Sequence, residues 1–164
     1  MTQLIIVEND LPISTDLCDL FEKRNVTIVK TGDKKSIPDI SNINLVGLNI
    51  ETLLCSYGFE KKIGGQEKLI NFARSVKISK IVVIEESNKS EFYTVKSEFG
   101  GALKRLQFNN LYEQFAKEFI FHVCCPNNIF AAGDQSTYEL LALSRRVAIT
   151  DVTVFINGPT GSGK

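Results

Sequence analysis

The chain has 164 residues, 43% of them hydrophobic and 23% charged, enough for one ordinary domain and a little more with a core of normal size. Nineteen lysines and arginines balance nineteen aspartates and glutamates, so the formal charge is zero. That excludes strong electrostatic attraction of this chain to nucleic acid or to an anionic membrane. Its four cysteines (Cys18, Cys55, Cys124, Cys125) and one histidine (His122) form no Cys-x-x-Cys pair, so no zinc site is expected.

Leu4–Val7 reads as a buried strand that ends in the polar group Glu8-Asn9-Asp10. Leu17, Leu20 and Phe21 then repeat at helical spacing behind Pro12. Val26–Val29 is a second strand, and Leu45–Ile50 is a third apolar run, with Asn49 near its end. Thr52 to Gly65 reads as a long connection after it. Leu69, Ile70, Phe72, Ala73 and Val76 form one face of a helix.

Ile81–Ile84 is the most apolar strand in the chain and runs into Glu85 and Glu86. A helix is expected from about Ser90 to Phe99, stopped by Gly100-Gly101, then a short strand from Ala102 to Phe108. Leu111 to Cys124 is a final helix with Phe115 and Phe119 on one side. Alternation of strands and helices predicts a parallel sheet covered on both faces, which binds ligands at the C-terminal ends of its strands.

Cys125-Pro126-Asn127-Asn128 breaks the helix and opens a linker over 126–132. From 133 a second start is expected. Asp134 or Ser136 caps a helix through Arg146, and Val152–Ile156 forms a strand leading into Gly158, Pro159, Thr160, Gly161, Ser162, Gly163 and Lys164. This ending fits the phosphate-loop pattern of Gly, four residues, then Gly-Lys. Its glycines let backbone N–H groups turn toward phosphate oxygens, and its lysine adds a point charge. The alternative is a flexible glycine-rich tail. The chain stops on the loop's lysine, which reads as a truncated start of an ATPase domain. No magnesium ligand or charge-stabilising arginine follows, so no catalytic residue is assigned and no bound ATP or Mg²⁺ is expected.

Residues 130–158, with Gly133-Asp134-Gln-Ser136, the helix ending Arg146-Val147-Ala148 and the Thr150-Asp151 pair before the strand, resemble the beginning of the AAA+ domain of sigma-54-dependent transcription activators. The Pro159-Thr160 variant looks like that of flagellar regulators in the family, although the linker lacks the arginine with which some of those sense cyclic di-GMP. The resemblance implies a receiver domain in front, so residues 1–125 are expected to be a flavodoxin-like, five-stranded parallel sheet with helices on both faces.

In that alignment Glu8, Asn9 and Asp10 stand at the magnesium-binding cluster. Asn49 stands at the phosphate acceptor, Glu85 at the hydroxyl position, and Leu106-Gln107 at the usual Lys-Pro. An amide cannot form an acyl phosphate, and without the lysine nothing holds the phosphate. The receiver would therefore not be phosphorylatable. The resemblance further implies an ATP- and Mg²⁺-dependent homo-oligomer in the cytoplasm, acting on sigma-54 RNA polymerase and DNA through C-terminal parts, with no membrane role. Phe92, Phe99, Leu111 and Phe115 lie in the region where receivers dimerise. Two other functions remain open at this stage: the front of another P-loop NTPase, and a stand-alone interaction module.

Overall fold

The computed structural model describes residues 3–7, 11–24, 26–31, 50–88, 92–125, 135–148 and 150–160. The chain divides into two compact units, 1–129 and 130–164.

The first unit is built on a six-stranded mixed sheet. Its strands are β1 (Gln3–Val7), β2 (Thr27–Thr31), β3 (Thr52–Ser56), β4 (Lys80–Glu86), β5 (Tyr93–Glu98) and β6 (Leu103–Phe108), in the spatial order β2-β1-β3-β4-β6-β5. The pairs β1–β2, β1–β3, β3–β4 and β4–β6 are parallel, and β5–β6 is antiparallel. Among the described residues of this unit the helices are α1 (Ser14–Lys23), α2 (Tyr57–Ile63), α3 (Gln66–Ser75) and α4 (Gln114–Cys124).

Two departures from the sequence-based expectation matter for the site. The strand between β1 and β4 is Thr52–Ser56, a stretch expected to be a connection, whereas Leu45–Asn49 of the expected third run lie outside the described residues. All five residues of Thr52–Ser56 are buried, as a central parallel strand requires. What looked like a long connection from Thr52 is therefore the strand itself, followed by α2. The run Thr52–Ser56 is short, and its pairing with β1 and β4 is what marks it as a strand.

The expected helix over Ser90–Phe99 is instead the edge strand β5, within the described part of that range. It returns through a 3-10 turn at Phe99–Gly101 into β6. Phe99, Gly100 and Gly101 all have positive φ (53°, 64° and 97°), a conformation that the two glycines adopt without strain and Phe99 does not, and together they close the hairpin. Tyr93-Thr94-Val95 are good strand formers, and a Gly-Gly break between two such runs is a hairpin signal that outweighs the weak helical pattern.

Side chains alternate across the strands, so the registers define two faces. On one, Leu53, Cys55, Ile81, Val83 and Leu103 form a core with Phe59 of α2 and with Leu69 and Ala73 of α3. On the other, Leu54, Val82, Ile84, Leu106 and Phe108 are buried, as are Leu17 and Phe21 of α1 and Ile120 and Phe121 of α4. The Phe21 and Phe121 rings meet at 5.2 Å. Beside them Arg24 makes two 2.6 Å bonds to Glu118 and stacks 4.5 Å over Phe121, fixing α1 to α4. The α4 C-terminus is tied to the sheet by Thr52, whose hydroxyl donates to the Cys124 carbonyl, and by Lys80, which donates to the Val123 carbonyl.

In the second unit, helix α5 (Gln135–Ala148) forms where a helix was expected. Residues 151–159 have no regular secondary structure, so the strand expected over Val152–Ile156 is absent. A strand exists only where its N–H and C=O groups pair with a neighbour. Here Val152, Val154, Phe155 and Ile156 are all exposed.

Candidate functional site: a polar cleft on the sheet

The replacement of a helix by β5 has a direct consequence. A helix between β4 and β6 would cover the sheet. β5 widens the sheet instead and leaves part of one face open. The open part is polar: Glu85 of β4, Arg105 and Gln107 of β6, and Thr94, Lys96 and Glu98 of β5 share it by register. Helices α2 and α3 wall it on one side with Tyr57, Glu60, Lys61 and Gln66, enclosing a cleft of about 440 Å³.

Glu60 organises the cleft. It is the fourth residue of α2 and is only 3% exposed. Ser56 starts that helix, its hydroxyl accepting from the Phe59 N–H at 3.0 Å. Gly64 ends it in the left-handed conformation. The Gly64 N–H donates to the Lys61 carbonyl at 3.1 Å and the Gly65 N–H to the Glu60 carbonyl at 2.8 Å, the paired bonds of a Schellman cap. Thus fixed at both ends, the helix aims the Glu60 carboxylate at the sheet.

The Arg105 guanidinium meets it with two parallel bonds of 2.5 and 2.7 Å. Its Nε lies 3.4 Å from Glu98, which in turn accepts from the Gln66 amide at 2.6 Å. The hydrogen bond to Glu60 raises the Arg105 pKa above its usual value despite partial burial. A second network lies at the strand ends: the Gln107 amide donates to Glu85 at 2.5 Å, and the Thr94 hydroxyl donates to the Gln107 carbonyl oxygen at 3.0 Å. Lys61 completes the wall, its ammonium 4.3 Å over the Tyr57 ring.

The cleft holds three carboxylates and three cations and is electrically balanced. Among the described residues its hydroxyls are those of Tyr57 and Thr94, and the Thr94 hydroxyl donates to Gln107. The Cys55 thiol is fully buried beneath Glu60, and burial first, then the Glu60 charge, push its pKa far above the usual thiol range. Burial likewise raises the thiols of Cys124 and Cys125, the latter to about 12, which leaves no activated thiol beside His122. Among the described residues no cluster of His, Cys, Asp or Glu could hold a metal ion. The arrangement is suited to holding a polar group by hydrogen bonds.

Comparison of the chain with protein-family models, with curated proteins and with solved structures finds no match.

Of the residues singled out in the sequence, Glu85 and Gln107 are brought together, as register partners on β4 and β6. Glu8, Asn9, Asp10 and Asn49 lie outside the described residues, as do Gly161, Ser162, Gly163, Lys164 and the linker 126–132. The end of the third strand is held by Ser56, so the strand-end place assigned to Asn49 shifts to a residue whose hydroxyl is occupied as a helix cap. Gly158, Pro159 and Thr160 are described, in a segment without a strand before it. Leu111 is buried, while Phe92, Phe99 and Phe115 are substantially exposed. Sequence reasoning missed Glu60, Gln66, Glu98 and Arg105. The signal was there for Arg105: in Leu-Lys-Arg-Leu-Gln-Phe it alternates with Leu106 and Phe108, which puts Arg105 and Gln107 together on the opposite face. Among the described residues no helix is long and apolar enough to cross a membrane.

Proposed function

We propose that residues 1–125 are a flavodoxin-like, receiver-like regulatory module that phosphorylation does not switch, and that they form the N-terminal part of a sigma-54-interacting, ATP-binding transcription activator. The order β2-β1-β3-β4-β6 supports the first half, since its parallel pairings follow the 2-1-3-4-5 order of flavodoxin-like sheets, with β5 added at the edge.

The observation that carries the regulatory reading is the Glu85–Gln107 pair. A receiver needs a hydroxyl at the end of its fourth strand and a lysine on its fifth, both directed at the phosphoryl group. This chain sets the Glu85 carboxylate at the first place and the buried Leu106 at the second, and the neighbouring Gln107 amide bonds Glu85 at 2.5 Å. A phosphate would meet negative charge at one position and no cation at the other. Signalling would then pass through contacts of the module. In this reading Gly158 to Lys164 are the phosphate loop, with ATP and Mg²⁺ as cofactors, a homo-oligomer as the working form, and sigma-54 RNA polymerase and DNA as partners of parts beyond Lys164.

The test uses the full gene product with sigma-54 RNA polymerase holoenzyme on an enhancer-bearing promoter. Open-complex formation that requires hydrolysable ATP is the expected result. Its absence, with ATP hydrolysis intact, would hand the case to another class of P-loop NTPase.

A further inference from the structure

The edge of the sheet carries a second, independent feature. The Asn109 N–H donates to the Phe92 carbonyl at 3.1 Å, which makes Phe92–Asn109 a hydrogen-bonded pair of the β5–β6 ladder. Antiparallel ladders alternate hydrogen-bonded and non-hydrogen-bonded pairs. Thr94, Lys96 and Glu98, opposite Gln107, Arg105 and Leu103, therefore turn their backbone groups toward β6. Tyr93, Val95 and Ser97 turn theirs outward, along an edge that no described strand covers.

The side chains of those same three residues point to the face opposite the cleft, where an aromatic patch adjoins the edge. Tyr93 packs 5.5 Å from Phe115 and 5.2 Å from Phe119, and Phe92 packs 5.4 Å from Phe115. Yet Phe92, Tyr93, Val95 and Phe115 remain 42–46% exposed, and Tyr112 is 59% exposed. An exposed apolar patch beside an open strand edge is an expensive surface to leave in water.

We propose that β5 pairs antiparallel with β5 of a second copy of this chain, with Val95 on the two-fold axis. The strand is complementary to itself in this register. Val95 and its counterpart exchange both N–H···O bonds, which uses the outward-facing groups. Tyr93 falls opposite Ser97 of the second copy, and on the cleft face Thr94 falls opposite Lys96. The register centred one residue later sets Lys96 directly against Lys96, which repels and shortens the paired stretch. The centred register pairs Phe92–Glu98 over its whole length and brings the two aromatic patches to the junction, adding apolar contact to the backbone bonds. The twelve strands of two copies then form one continuous sheet.

The full chain is examined by light scattering at about 100 μM, where a dimer of ~10 μM affinity is mostly formed. The expected mass is twice that of one chain. Hydrogen exchange should show the amides of Tyr93, Val95 and Ser97 slowed about tenfold or more relative to a dilute sample. Val95→Lys puts like charges on the axis at an exposed position, and it should return the chain to a monomer with unchanged circular dichroism. Val95→Cys should cross-link on air oxidation, since directly paired Cα atoms lie about 5.5 Å apart, within disulfide reach. Thr94→Cys should not. A wild-type monomer with a freely exchanging Val95 amide overturns the proposal. So does a dimer that survives Val95→Lys, because its interface lies elsewhere.

Discussion

Arg105 on β6 grips the carboxylate of Glu60 on α2 with two bonds, 2.5 and 2.7 Å long, across a separation of 45 residues. The Glu60 side chain is 4% exposed and that of Arg105 19%, so both charges have left most of their water. Breaking such a pair from one side leaves a buried charge without a partner. Arg105→Met should cost about 3–5 kcal/mol, seen as a lower urea midpoint. The double variant Glu60→Leu/Arg105→Met should recover most of that loss. If the double variant is as unstable as the single one, the pair is not what holds α2 to the sheet.

Gly64 ends α2 at φ +100°, and a Cβ there would stand 2.8 Å from the Lys68 side chain. That side chain is flexible and can move away, so the backbone sets the cost. Gly64→Ala should destabilise by about 1 kcal/mol. Gly64→Asn should cost less, since asparagine enters the left-handed region more readily. Equal thermal midpoints for Ala and wild type would show that the cap is not strained.

Three of the four buried thiols bear on stability at alkaline pH. Cys55, Cys124 and Cys125 all have pKa values raised from the ordinary 9.0 by burial. A group whose folded pKa is raised stabilises the fold fully below its unfolded value, and that contribution disappears as pH climbs through the folded one. Stability should thus fall above pH 9, by up to about 1.4 kcal/mol per pH unit for each thiol. Lys80, lowered by burial, acts with the opposite sign and offsets part of the slope. Urea titrations at rising pH should show the fall, and Cys124→Ala should make it shallower. A flat profile to pH 11 would contradict the thiols' burial.

Incubation with acetyl phosphate and Mg²⁺ should leave the mass of the chain unchanged. The Glu85–Gln107 pair opposes a phosphoryl group, and Ser56 at the end of β3 is committed to capping α2. A gain of one phosphoryl group would sink the non-phosphorylatable reading while leaving the fold untouched.

How far the sequence reached differs from element to element. The run Ile81–Ile84 is buried on both sides, so its composition alone marks it as a central strand. The helices α3 and α4 bury one stripe each, and their 3.6-residue periodicity shows in the sequence. Glu85 was legible because it follows an apolar strand, where sheets of this class place their sites. Its partner Gln107 could be aligned but not paired, because the bond depends on a register between strands 22 residues apart.

By itself the sequence determined the α/β class, the positions of β4, β6, α3, α4 and α5, and the polar strand ends. These follow from burial and periodicity, which are local properties of a chain. The tertiary structure alone decided that Thr52–Ser56 is the third strand, that Tyr93–Glu98 is a strand, and that 152–156 is not one. Short apolar runs carry no intrinsic preference strong enough to choose. A strand is specified by the hydrogen bonds and side chains of its neighbours, and those neighbours are remote in sequence. The cleft follows from the second of these decisions, since β5 widens the sheet where a helix would have covered it.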